Sequence, residues 1–146
     1  MQTDAEAPGA VLDTNIALDW LVFADVRVQA VVFAVENRRL RWLACPAMRI
    51  ELAHMLGHRS LAAWNPDATS CLATFDRMAE LQDAPAICPQ TSLRCSDADD
   101  QVFIALALAS RAQWLFTHDR ALLKLARRAA RQGLRIVKPD DWTAPT

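Results

Sequence analysis

The 146-residue chain has the length of one compact domain, which buries roughly two thirds of the surface its unfolded form exposes. Its residues are 53% hydrophobic and 23% charged, a balance that excludes a disordered or low-complexity chain. A net charge of -1 excludes a broadly polybasic protein, so any anion-binding face has to come from how the charges are distributed.

Residues 1–9 are polar and acidic and lack the layout of a secretory signal. The longest apolar run, Val102 to Ser110, falls far short of the ~20 residues of a spanning helix. Both features predict a cytoplasmic protein with no membrane contact. The four cysteines, Cys45, Cys71, Cys88 and Cys95, form no CxxC pair and lie among apolar neighbours, which predicts buried free thiols.

In chain order, Ala10 to Leu12 is a short apolar strand ending at Asp13, where Thr14 and Asn15 can cap the start of a helix. Val26 to Arg39 places Val28, Val31, Val32 and Val35 at helical spacing. Arg41 to Ala44 reads as a second strand, and Pro46 suits the first turn of a helix running to about Gly57. After Asn65 and Pro66, the stripe Cys71, Leu72, Phe75, Met78 and Ala79 predicts a helix ending near Leu81. Ala86 to Pro89 reads as a short strand within the irregular stretch Leu81 to Ser96. Asp97 to Asp100 then opens an apolar helix through Ala109, and Trp114 to Thr117 forms a strand. Asp119 to Gln132 is an amphipathic helix stopped by Gly133, and Arg135 to Val137 is a final strand before Pro139. Strands alternating with helices predict a mostly parallel sheet covered on both faces.

Open parallel sheets bind ligands beyond the carboxyl ends of their strands. Asp13 and Asp119 follow two predicted strands and would meet there. Glu51, flanked by Ile50, Leu52, Ala53 and Leu56, reads either as a solvated side chain or as a ligand aimed into the same crevice. Asp97, Asp99 and Asp100 can cap a helix, but one cap needs only one acid. Three acids in four positions crowd like charges, which a divalent cation would partly neutralise. Hard cations such as Mg2+ and Mn2+ take such oxygen ligands, and a carboxylate-held cation can hydrolyse a phosphodiester without a nucleophilic side chain. His54 and His58, four apart on one helix, suggest a zinc pair but lack a third ligand, and His118 is another weak metal candidate.

The segments VLDTN (Val11 to Asn15), Glu51 in its helix, DADDQVFIALALA (Asp97 to Ala109), WLFTHDRALL (Trp114 to Leu123) and IVKPDDW (Ile136 to Trp142) resemble, in order and spacing, the motifs of PIN-domain nucleases. The nearest resemblance is to the VapC-like toxin components of bacterial toxin–antitoxin systems. It implies a PIN-like α/β/α sandwich with a mostly parallel central sheet of four or five strands. Residues 1–9 would then be a flexible leader, 10–142 the nuclease domain and 143–146 a tail. It also implies a Mg2+- or Mn2+-dependent endoribonuclease acting on RNA, a homodimer and a cognate antitoxin. Asp13, Glu51, Asp100 and Asp119 would be the catalytic metal ligands, with Asp97 or Asp99 sharing the work of Asp100. Asn15 and Thr117 would orient them by hydrogen bonds. Gln101 stands where some relatives carry another acid, and Ala105 offers no carboxylate deeper in that helix, which leaves open a catalytically inactive PIN-like module that binds RNA or an antitoxin.

Arg120, Lys124, Arg127, Arg128 and Arg131 gather on one side of the predicted Asp119 to Gln132 helix, either as a solvated face or as a ridge that tracks RNA phosphates. Arg38, Arg39 and Arg41 form a second basic cluster. A phosphoacceptor domain of receiver type is the remaining alternative; it would require Lys138 to serve as the lysine after a late strand, and the paired N-terminal acids of that site are missing.

Overall fold

A computed structural model gives the fold and describes residues 7–85 and 93–144. Five strands, β1 (Gly9–Leu12), β2 (Arg41–Ala44), β3 (Ala79–Leu81), β4 (Trp114–Phe116) and β5 (Arg135–Val137), form one sheet in the order β3-β2-β1-β4-β5. Every neighbouring pair is parallel. The central strand β1 is buried along its whole length, as a strand covered on both faces must be, which explains its unbroken apolar run.

The helices are α1 (Thr14–Leu21), α2 (Gln29–Glu36), α3 (Pro46–Leu56), α4 (Ala68–Met78), α5 (Gln101–Ala109), α6 (Arg120–Leu123) and α7 (Ala126–Ala130). Right-handed crossovers put α1 to α4 on one face of this sheet and α5 to α7 on the other. The packing agrees: α1 and α4 both lie against α3, α5 covers β1 and β4, and α7 covers β5. On the first face, Trp42 of β2 meets Trp20 and Phe75, each with ring centroids 5.0 Å away. Truncating a buried aromatic of this kind costs about 3–5 kcal/mol. Beyond β4, the indole of Trp142 stands edge-on to Trp114 and Phe116.

Strands β2 and β5 span the predicted residues, and β1 and β4 differ by one residue at an end. Three expectations change. The helix expected to end near Leu81 stops at Met78, and Ala79–Leu81 leaves it as edge strand β3, with Ala79 paired to Trp42 and Leu81 to Ala44. Arg41 and Glu80 tie the two strands at 3.1 Å. Only backbone pairing with β2 turns this half-exposed segment into a strand. The Asp119 to Gln132 helix is broken at Lys124 and Leu125 into α6 and α7, a break that leaves Leu122, Leu125 and Ala129 all buried. The Val26 to Arg39 helix begins as a 3-10 turn, Val26–Val28, capped by Asp25, and α2 ends at Glu36. The expected strand Ala86 to Pro89 lies outside the described residues, as does Cys88. Cys45, Cys71 and Cys95 are free and buried. Among the described residues no helix is long and apolar enough to cross a membrane.

Candidate active site

The strand order reverses direction between β1 and β4, whose connections leave toward opposite faces, so a crevice opens beyond their carboxyl ends. The backbone N–H of Asp13 still donates to the Phe116 carbonyl at 3.3 Å, extending the β1/β4 ladder to the crevice rim. The next residues of the two strands therefore face each other across the rim.

Asp13 is 5% exposed and is the N-cap of α1. Its Oδ1 accepts from the Ile16 N–H at 2.9 Å, and its Oδ2 accepts from the Thr117 hydroxyl at 2.5 Å. Thr117, wholly buried, also accepts from the Asp119 N–H at 2.9 Å through the same hydroxyl oxygen. One hydroxyl thus connects the ends of both strands, the geometry of an orienting residue. Asp119 caps α6, its Oδ1 accepting from the Ala121 N–H at 2.8 Å. Asn15 faces the crevice but makes no hydrogen bond to these carboxylates among the described residues.

Asp97, Asp99 and Asp100 belong to the 3-10 turn Ala98–Asp100 and its cap, which precede α5. Asp97 caps that turn by accepting from the Asp99 N–H at 3.0 Å. Asp100 does no capping, and its Oδ2 is buried with no hydrogen-bond partner. Burial, the sharing of a proton with Asp119 and repulsion from Asp119, Asp97 and Asp13 push its carboxyl up to about 7. Burial likewise raises the Asp13 carboxyl above its usual range, opposed by the hydrogen bonds from Thr117 and Ile16, while Asp119 adds a further upward push.

The crevice, about 520 Å³, is lined by Asp13, Asn15, Glu51, Asp97, Asp99, Asp100 and Asp119, together with the apolar Met48, Met55, Val102 and Phe103. Among the described residues, six that line it are acids and none is Lys, Arg or His. Glu51 reaches this wall from α3. Among the described residues, no three His, Cys, Asp or Glu side chains already stand close enough to hold an ion. The donor set nevertheless suits a hard cation: the charged groups are all carboxylates, one buried oxygen is orphaned, and no lining cation neutralises them.

The remaining candidates lie elsewhere. Arg120, Lys124, Arg127, Arg128 and Arg131 lie on α6, α7 and their flanks and outside the crevice lining; Arg120 directly follows the lining residue Asp119, whereas α7 runs back toward the amino end of β5. Lys138 is also outside the lining, which removes the support for a receiver-type site. His58 caps a 3-10 turn by accepting from the Ser60 N–H, and His54 stands 6.1 Å from it, ring to ring, so this pair is local structure. His118 faces Asp140 at 3.8 Å and does not line the crevice.

Gln101, which reads in the sequence as a missing acid, has a place of its own. Its side-chain amide donates to the Leu93 carbonyl at 2.8 Å and its Oε1 accepts from the Cys95 N–H at 2.7 Å. A glutamine placed between two backbone groups could not be found from local sequence, because both partners lie across an irregular loop.

No curated protein matches the chain. Among solved structures, the chain is similar to one in the crystal structure of VapBC2 from Rickettsia felis bound to a DNA fragment from their promoter. The match has a TM-score of 0.58 and 18% identity, and it covers 88% of this chain and 96% of that one. At that identity it speaks to the fold, which it shares through the parallel α/β architecture described above. A family model described as the PIN domain matches residues 9–121, the span that carries β1, β4 and every acid of the crevice, and the chain therefore belongs to the PIN domain family.

Proposed function

We propose that this chain is a Mg2+- or Mn2+-dependent endoribonuclease, the toxin of a toxin–antitoxin pair. The observation that carries the proposal is the acid-only charge of the crevice, with a buried, unpartnered Asp100 oxygen beside Asp13 and Asp119. Asp13, Asp100 and Asp119 would hold the cation, Glu51 would approach from α3, and Asp97 or Asp99 would complete or exchange with them. A divalent cation bound there supplies polarisation of the phosphodiester and a lowered pKa for the attacking water.

The chain's own residues do the rest. Thr117 fixes the orientation of Asp13 and the start of α6 together. Met48, Met55, Val102 and Phe103 form the apolar part of the wall and strengthen the electrostatics of the carboxylates they adjoin. Arg120, Lys124, Arg127, Arg128 and Arg131 would hold the RNA backbone beside a crevice whose own charge repels it. Asn15, which lines the crevice, would contact the substrate.

A homodimer, a cytoplasmic location and a cognate antitoxin belong to the same reading. All three rest on the resemblance of the ordered motifs to VapC-like toxins, and the antitoxin is further supported by the likeness of fold to a chain of the VapBC2 complex. The test is cleavage of a mixed RNA substrate with Mn2+ by wild type, Asp13→Asn and Asp119→Asn. Wild-type cleavage lost in both variants and in chelator is expected, and undiminished cleavage by the variants overturns the site. The second reading, a non-catalytic module binding RNA or an antitoxin, is favoured by Gln101, which is engaged in the scaffold where some relatives carry another acid. RNA binding without cleavage under any metal would select it.

A further inference from the structure

Asp97, Asp99 and Asp100 stand within four positions, at the end of a described stretch, Leu93 to Asp97, that belongs to no strand or helix. Their mutual repulsion works to open the turn, and the site requires them to stay near Asp13 and Asp119 before any cation arrives. The hydrogen bonds of Gln101 span this turn. From the first residue of α5 its amide reaches back eight residues to the Leu93 carbonyl and six residues to the Cys95 N–H. Leu93 is wholly buried and Cys95 nearly so, so the chain before the acids is anchored in the core and clasped to the chain after them.

The clasp requires a donor and an acceptor on one side chain at once. Glutamine has both; an ionised glutamate has only the acceptor and would set a fourth negative charge beside the other three. Asparagine has the right groups on a shorter arm. The residue that looks like a lost ligand thus has a chemical reason to be an amide.

We propose that Gln101 is a positioning residue, which closes the Leu93 to Gln101 segment into a preformed loop and so presents the Asp97–Asp100 acids to the cation. The inference rests on the nuclease reading and assigns Gln101 no contact with metal or RNA. Outer residues that orient metal ligands typically contribute about 10- to 100-fold in metal affinity.

The test is Mn2+ titration of the full chain, read by electron paramagnetic resonance of the free ion, with far-UV circular dichroism as a check on folding. Gln101→Met removes both hydrogen bonds at nearly constant size and is expected to weaken Mn2+ binding by about tenfold or more with the spectrum unchanged. Gln101→Glu should also weaken it despite its added carboxylate, an outcome that separates a clasp from a ligand. Wild-type affinity in Gln101→Met, or tighter binding in Gln101→Glu, overturns the proposal while leaving the nuclease reading intact. Absence of Mn2+ binding by wild type would instead overturn both. Should Gln101→Met fail to fold, hydrogen exchange in the wild type decides: the Cys95 amide is expected to be protected in chelator. Free exchange there, with protection gained only on adding Mg2+, would mean the loop is not preformed and would overturn the clasp.

Discussion

Asp13 and Asp100 line the same crevice, yet the fold holds them in opposite ways. Asp13 follows the central strand, and both of its oxygens accept hydrogen bonds, from Ile16 and Thr117. Asp100 ends an irregular turn, and one of its oxygens is buried with nothing to accept. Burial raises the proton affinity of both, but only Asp13 has neutral donors that favour its charged form. One carboxylate is thus placed by the scaffold, while the other is left in need of a cation or a proton.

Removing charge at the scaffold-held position should do the most damage. Asp13→Asn retains an acceptor for the helix cap and should fold, but RNA cleavage with Mn2+ should fall by about a hundredfold or more, measured as an initial rate. A similar fall in Asp119→Asn with normal folding would support a shared ion; loss in one variant alone would separate the two roles.

Thr117→Val tests how firmly the two strand ends are joined. It removes the donor to Asp13 and the acceptor for the Asp119 N–H, and groups left unpaired in a buried place cost about 1–3 kcal/mol each. Urea denaturation should register a loss of about 2–6 kcal/mol on that basis. A loss below about 0.5 kcal/mol, the ordinary scale of a neutral surface change, would mean that the pairing is dispensable.

The pH dependence of the metal-free protein bears on the unpartnered carboxylate. The Asp100 carboxyl, 3.8 when unfolded and about 7 when folded, binds a proton more tightly in the folded chain. The folded state therefore carries the extra proton between about pH 4 and 7, so stability in chelator should decrease as pH rises through that window and level off above it. Thermal melts at intervals from pH 5 to 8 would follow this, and Asp100→Asn should flatten the slope. An Asp100→Asn curve parallel to wild type would assign the slope to other groups. Saturating Mg2+ should reduce the decrease if the cation takes the place of the proton.

Changes outside the crevice should matter least. Removing Arg127 or Arg131 should weaken RNA binding without changing metal affinity. Each should also reduce the slope of log affinity against log salt by about 0.7 for every phosphate of single-stranded RNA that it ceases to neutralise. A slope unchanged in the double variant would return this helix face to ordinary solvation.

Much of this molecule could be read locally. Apolar runs bounded by polar residues identified β1, β2, β4 and β5, because strands covered on both faces need continuous hydrophobicity. Strand β3 escaped, since Ala79 continued the apolar stripe of α4 and only backbone pairing at the sheet edge pulled Ala79–Leu81 out of the helix. The break at Lys124 and Leu125 escaped for a related reason: the amphipathic pattern persists across it. In the crevice, every acid but the mid-helix Glu51 was legible as a residue at a strand end or helix start, whereas the clasp made by Gln101 was not, because its partners are backbone groups whose position depends on an irregular loop.

Residue order alone was enough to establish four of the five strands, that Asp13 and Asp119 would follow two of them and that no lysine or arginine is interleaved among Asp97, Asp99 and Asp100. Which carboxylate keeps two hydrogen bonds, and which is buried with an oxygen unpartnered, was settled by the packing of the folded chain. Proton affinity depends on desolvation and on distances between charges, and those arise when β1 and β4 lie side by side, 104 residues apart in the chain at Asp13 and Thr117.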